Sequence, residues 1–424
     1  MIRFLIKGLW RDRTRSLFPF MTVVAGVTLT VVFQAYLKGI TSNMSGASAS
    51  FSTGHLKVTS RASAKEGDQA PNELAYVGVK KLLGELHEQS PDLIWTPRIR
   101  FAGLLDIPDE RGETRAQAPV FGMGVGLLSA DSPDRRILKL ERALVRGRMP
   151  ATHGEVLVSE ELARHLNVGP GATATLISST MYGGMATSNF TIAGTVRFGI
   201  LAMDRGTVLA DISDIQGALD MEDAAGEILG LFPDSLYRRD VAESVTARFN
   251  ARWGKTQDEF APTMVAMHQQ PGTAELLDYI ELASSAVVVA FTLVMSIVLW
   301  NAGLVGSLRR YGEIGLRLAF GEDKGRLYRA MIAESLAIGL VGSAVGTAIG
   351  LVPAYWLQSK GFDIGYLMPN SSLMLNTTIR AQITITSFFI GFLPGLLATG
   401  VGTAISGIGV YKRQTATLMK ELEA

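Results

Sequence analysis

Four runs without a single charged side chain, residues 16–37, 282–308, 335–359 and 381–411, constrain this chain more than any other feature. Each reaches the roughly 20 residues needed to cross about 30 Å of hydrocarbon as a helix. The first could be a cleaved leader, but its apolar part is longer than a leader's and no small-residue cleavage site follows closely, so it reads as a retained span. Between the first two runs lie some 240 residues of ordinary soluble character. The 424-residue chain is therefore expected to be a membrane protein with one N-terminal and three C-terminal transmembrane helices around a large inserted domain. Its 47% hydrophobic and 19% charged residues are segregated along the sequence rather than mixed.

Orientation follows from flanking charge. Arg3, Lys7, Arg11, Arg13 and Arg15 precede the first run, and Arg309, Arg310, Arg317, Lys324, Arg326 and Arg329 lie between the second and third. Lys412, Arg413 and Lys420 follow the fourth, whereas the 360–380 loop has only Lys360 and Arg380 as basic residues. The positive-inside rule puts both termini and the 309–330 loop in the cytoplasm and the large domain outside. The expected division is an interfacial helix at 1–15, spans at 16–40, 281–308, 331–358 and 381–408, an external domain at 41–280, a short external loop at 359–380 and a cytoplasmic tail at 409–424. Residues 1–15 can equally be a basic flank that only sets orientation.

Within the external domain, 54–59 and 92–101 alternate as strands do, and 79–89 has helical spacing between them. A second helix is expected near 240–253. Short β runs at 155–159, 174–178, 190–196 and 207–211, with one helix at 159–166, predict a β-rich insertion over about 110–220 in an α+β platform.

Catalytic signatures are missing. His55, His87, His153, His165 and His268 are scattered without metal-ligand spacing, and there is no cysteine. No nucleophile elbow, zinc-protease helix or paired-carboxylate pattern occurs, and without a phosphate-binding P-loop the chain carries no ATP-hydrolysing signature. The balance of 40 basic against 39 acidic residues gives no reason to expect nucleic acid. No cofactor site is expected, and the membrane spans have no charge at their centres, which argues against a polar substrate path.

Two patterns remain. Gly339, Gly342, Gly346 and Gly350 in the third span, and Gly391 and Gly395 in the fourth, repeat at the spacing that lets helices approach closely in lipid, with Pro394 placed to kink the last span. The loop between spans two and three contains an amphipathic stretch, Arg309-Arg310-Tyr311-Gly312-Glu313-Ile314-Gly315-Leu316-Arg317-Leu318-Ala319-Phe320-Gly321. Ile314 and Leu318 share one helical face, Leu316 and Phe320 a neighbouring one; Gly321 stops the helix and Asp323 caps the next. Such a helix suits a partner's grip, and a basic loop that only fixes topology satisfies the same pattern.

The motif Arg310-x-x-Glu313-Ile314-Gly315-x-x-x-Ala319-x-Gly321, followed by Ala333-Glu334-Ser335, resembles the coupling region of MacB/FtsX-type (type VII) ABC transporter permeases. Residues 154–171, Gly-Glu-Val-Leu-Val-Ser-Glu-Glu-Leu-Ala-Arg-His-Leu-Asn-Val-Gly-Pro-Gly, are similar to that family's external domain, and Asp204-Arg205-Gly-Thr-Val-Leu-Ala-Asp211 resembles the LolC/LolE-like lipoprotein-release branch. The tail at 411–421 resembles the family's C-terminus with a thinner proline and basic run. The resemblance implies a non-catalytic permease subunit of a bacterial inner membrane, its large domain periplasmic, paired with a second copy or a paralogue in membrane lipid. Two copies of a cytosolic ABC ATPase would hold the ATP and magnesium. It makes Arg309, Arg310, Glu313, Ile314, Arg317, Phe320 and Gly321 the ATPase-coupling residues. Cargo would be worked on at the outer face, most closely lipoprotein. An efflux engine with a periplasmic adaptor and a regulator of cell-wall hydrolases are the alternatives.

Overall fold

The computed structural model describes residues 13–67, 71–253, 258–308, 311–363 and 378–412. Four helical stretches in it are long and apolar enough to cross a membrane: Leu17–Thr53, Thr273–Val305, Lys324–Lys360 and Ile385–Ile408. The chain divides into two compact units, a membrane unit and an inter-span domain that occupies Ser42–Tyr279. The first helix, α1, runs over Arg13–Ser48 and ends in a wider π turn at Ala49–Thr53. The region 1–12, where an interfacial helix is expected, lies outside the described residues, as do 364–377 of the short loop and the tail from 413 on.

The inter-span domain is built on a ten-stranded sheet. Its strands are β1 (Leu56–Ser60), β2 (Ile94–Pro108), β3 (Thr114–Val125), β4 (Leu144–Gly147), β5 (Glu155–Ser159), β6 (Thr173–Ser179), β7 (Met185–Val196), β8 (Thr207–Asp211), β9 (Glu227–Leu231) and β10 (Pro262–Ala266). The first half of β2 completes a four-stranded antiparallel platform in the order β10-β1-β9-β2. Two helices, α2 (Val79–Gln89) and α3 (Arg239–Trp253), bury Leu82, Leu86, Val245 and Phe249 in the same core as Leu56, Val58 and Met264 of the platform strands. The buried positions repeat at three- and four-residue intervals, one stripe per helix, so each helix has a single apolar face to give.

The second half of β2 leaves the platform and enters a barrel. It pairs with β3, then β3 with β8, β8 with β5, β5 with β7, β7 with β6, and β6 returns to β2. Six strands close on themselves, and closure removes the open sheet edges that a lone insertion would expose. Two of its pairings, β3·β8 and β5·β7, are parallel and require crossovers. The expected β-rich insertion is thus a closed barrel that borrows half of a platform strand.

The platform's second face is polar. Glu227 pairs with Arg98 across the β9·β2 ladder, Lys57 pairs with Leu229 two residues along β9, and Arg100 stands two residues beyond Arg98, so these four side chains share one face. Arg98 is fully buried and bonded to Asp134 at 3.0 Å, while its Nη1 donates to the Ser50 carbonyl at 2.7 Å and the Phe51 carbonyl at 3.2 Å. Arg100 donates to the Ser52 carbonyl and Gln270 to that of Thr53. The last carbonyls beyond α1 therefore end on cationic and amide donors, the partners favoured at the negative end of a helix dipole.

His55, just past this turn, accepts a hydrogen bond on Nδ1 from the Phe232 amide at 3.0 Å and stacks on Tyr237. Burial lowers its pKa to about 4, against 6.5 for the free side chain. The unfolded chain takes up the proton as pH falls below about 6.5, while the folded chain refuses it until about 4, so stability is lost across that window. A gap of this size corresponds to about 3 kcal/mol. Thermal unfolding of the full chain between pH 7 and 4 is expected to show that loss, and the His55→Phe variant a correspondingly flatter profile.

The helix α4 (Thr273–Leu308) begins within the inter-span unit, ahead of the charge-free run, and continues into the membrane unit, because helix geometry does not stop where apolar composition does. It is followed by α5 (Tyr311–Ala319) and α6 (Lys324–Lys360). The last span is broken: α7 (Ile385–Phe389) gives way to a π segment at Leu393–Ala398 containing Pro394, then to α8 (Thr399–Lys412). Proline removes one backbone donor, and the wider turn absorbs the mismatch.

Candidate functional site

The segment that singles itself out is α5 and its exit. The stop is a Schellman arrangement: the Glu322 amide donates to the Arg317 carbonyl at 3.2 Å and the Gly321 amide to the Leu318 carbonyl at 3.0 Å. Gly321 adopts φ +88°, a left-handed conformation in which a Cβ is strained. Two residues later Asp323 caps α6, its side chain accepting from the Arg326 amide at 3.0 Å. A helix ended and a helix begun within four residues leaves a tight, defined corner.

One face of α5 is pinned. Ile314, 4% exposed, packs with buried Leu327 at the start of α6, and Leu318 and Met331 close around them. The neighbouring face is open: Leu316 is 48% exposed and Phe320 83% exposed. Arg317 is exposed between them and Gly315 is buried. The two apolar faces seen in the sequence thus have different fates, one spent on anchoring and one left bare. An aromatic and an aliphatic side chain one helical turn apart, with an arginine beside them, form a compact surface of the kind that anchors protein partners.

Of the residues expected to contact an ATPase, Ile314 points into the corner, so a polar substitution there tests the anchoring of α5 and not its outer face. Phe320 and Arg317 lie on the open side. Arg309 and Arg310 lie outside the described residues, and so does the side chain of Glu313.

The glycines of the spans sit where helices touch. A Cβ at Gly342, Gly346 or Gly350 would meet α1 at Val23, the Val24 carbonyl or the Thr28 carbonyl, at 2.8, 2.8 and 3.1 Å. Thr28 Oγ1 donates to the Gly346 carbonyl at 3.0 Å across the same seam. Gly339 faces the π segment at Gly395, Gly395 faces Ser343, and Gly391 faces Val27 and Thr347. Near the far end of α1, Gln34 donates to Thr384 and Thr386 and accepts from Ser387 Oγ at 2.6 Å. This polar knot, which residue patterns did not single out, fastens α1 to the start of the last span; a lone glutamine in an uncharged run was its only signal.

Among the described residues no cluster of three or more His, Asp or Glu side chains could hold a metal ion.

Residues 285–415 match the family described as FtsX-like permease C-terminal. An uncharacterized ABC transporter permease of Methanocaldococcus jannaschii is 23% identical over 168 residues, 40% of this chain and 41% of that protein. The macrolide export ATP-binding/permease protein MacB of Escherichia coli O157:H7 is 31% identical over 117 residues, 27% of this chain and 17% of that protein. The chain thus matches less than half the length of these relatives. The crystal structure of the periplasmic region of MacB from Actinobacillus actinomycetemcomitans aligns with a TM-score of 0.36 at 15% identity, over 55% of this chain and 95% of that one.

Proposed function

We infer that this chain, an ABC transporter permease of the MacB/FtsX type, is the membrane subunit through which a separate cytosolic ATPase does work on cargo at the outer side of the membrane. The observation that carries the reading is the bare Leu316–Phe320 face of a helix held rigidly at its corner by Ile314 and Leu327. Apolar groups this exposed cost free energy in water and gain it when a partner covers them. The basic residues that flank α5 put it on the cytoplasmic side, together with both termini.

The two helices that bracket the inter-span domain support a relay. At 1.5 Å per residue the 36 residues of α1, and likewise of α4, extend about 54 Å. That exceeds the roughly 30 Å of hydrocarbon by several helical turns. Motion imposed at α5 would pass along helices stiff enough to move the domain outside. The uncharged spans fit a machine whose cargo does not cross the bilayer through this chain.

Lipoprotein release is the cargo reading carried by the 204–211 segment. The named MacB relatives favour a second one, an export engine working with a periplasmic adaptor. Native mass spectrometry of the detergent-extracted complex tests the proposal. Two copies of this chain, or one copy and a paralogue, with two copies of an ATPase are expected; a retained lipoprotein supports release and a retained adaptor supports export. The chain alone, or bound to a cell-wall hydrolase without an ATPase, would contradict it.

A further inference from the structure

Two consecutive residues at the start of α6 have different partners. Leu327 is buried against Ile314 and holds α5 in its corner. Tyr328, one position on and about 100° further round the helix, turns to the last span instead. Its hydroxyl donates to the Ala404 carbonyl of α8 at 3.2 Å. Its ring lies so close to Gly407 that a Cβ there would stand 2.6 Å from Cε2 and 2.7 Å from Cδ2. A tyrosine that packs its ring on a neighbouring helix and spends its hydroxyl on that helix's backbone fixes both spacing and rotation.

The same stretch of α8 grips α4. A Cβ at Gly402 would meet Trp300 at its ring and at its carbonyl, both at 2.7 Å. One at Gly303 would meet the Thr399 carbonyl at 3.1 Å. Positions without a side chain let backbones come this close, and in a bilayer such packing is what holds helices together. The helix α4 leads into α5, and α6 leaves it. The last span is therefore wedged between the two legs of α5. Neither Tyr328 nor Gly407 belongs to the open Leu316–Phe320 face.

We propose that α8 braces α5, and that Tyr328 is the positioning residue through which motion of α5 and α6 enters the last span. The inference rests on the reading of α5 as the ATPase contact and adds where the load goes first. A push on α5 reaches α6 through Ile314 and Leu327. With Tyr328 bonded to Ala404, the first turn of α6 rolls only by dragging α8, and through Gly402 and Trp300 it drags α4. The two legs then move as one body instead of splaying. Without the bond α5 keeps its grip on the partner but yields at its root.

The full chain in complex with its co-purified ATPase tests this through Tyr328→Phe, which keeps the ring, and Gly407→Ala, which forces the ring aside. Surface plasmon resonance gives the hold on the ATPase. Steady-state kinetics of the complex give KM for ATP and kcat per bound ATPase. Both variants are expected to keep affinity and KM within about twofold of the wild type. Their kcat is expected to fall about two- to tenfold, the range of one lost neutral hydrogen bond. A merely structural contact would lower the thermal midpoint and the bound fraction and leave kcat per bound ATPase unchanged. The double variant is expected to lose less than the product of the single losses, because both act on one contact. If Gly407→Ala does not fold, Tyr328→Phe decides alone. A wild-type chain that binds no ATPase sinks the reading of α5 and the brace with it. Wild-type binding with kcat unchanged or raised in Tyr328→Phe, a loss carried by KM or affinity, or fully multiplicative losses overturns the brace alone.

Discussion

Leu316→Glu combined with Phe320→Glu is expected to leave the chain folded and membrane-inserted while weakening its hold on the ATPase by a hundredfold or more. Both side chains project from the open face of α5 and take no part in the Ile314–Leu327 corner, so their replacement costs the monomer little. At an interface, each truncation of a central apolar anchor typically removes about 2 kcal/mol, and burying an unpaired carboxylate adds to that. Two such losses exceed the roughly 2.7 kcal/mol that a hundredfold change represents. Surface plasmon resonance with the purified ATPase measures the affinity, and the thermal unfolding midpoint checks the fold. A matched pair on the pinned face, Ile314→Ala with Leu318→Ala, is expected to do the reverse. It lowers the midpoint first, because it opens a cavity where α5 meets α6.

Arg98→Met is the second large effect, and it falls on stability. The substitution strands Asp134 in a site where it is almost completely buried, leaving it, among the described residues, the Thr96 hydroxyl and the Gly126 amide. It also removes the donor to the Ser50 and Phe51 carbonyls at the end of α1. Breaking one side of a buried ion pair costs about 3–5 kcal/mol. Pulse proteolysis in urea is expected to show a loss in that range for the inter-span domain. Arg98→Met with Asp134→Asn is expected to be less destabilised than Arg98→Met alone, since the uncompensated charge is gone. If the two variants unfold together, the carbonyl contacts and not the ion pair dominate at this position.

How far these features were legible in the sequence differs from site to site. The spans were readable because hydrocarbon imposes one requirement, length without charge, and the chain meets it four times. The glycine ridge of α6 was readable because its spacing matches the helix turn, although which neighbour it faced, α1 for three of its glycines and the π segment for Gly339, depends on how the helices assemble. The barrel was seen only as a set of short strands. Its closure rests on β6 meeting β2 some seventy residues away in the chain, and on two parallel pairs whose partners no local pattern names. Arg98 and Arg100 stand two apart on a strand, and nothing near them in sequence says that the end of α1 covers that face. The same holds at α5. Both apolar faces were visible, but choosing the free one required knowing that Leu327 and Met331 come back to occupy the other.

Cysteine crosslinking tests the central claim most directly, because the chain has no cysteine of its own. Phe320→Cys and Ile314→Cys would be compared in intact membranes with a short thiol-to-amine crosslinker. The account predicts that position 320 joins efficiently to a cytosolic ATP-binding protein and that position 314, six residues away on the same short segment, does not. Crosslinking of both positions alike, of neither, or to a protein of the outer side would contradict it.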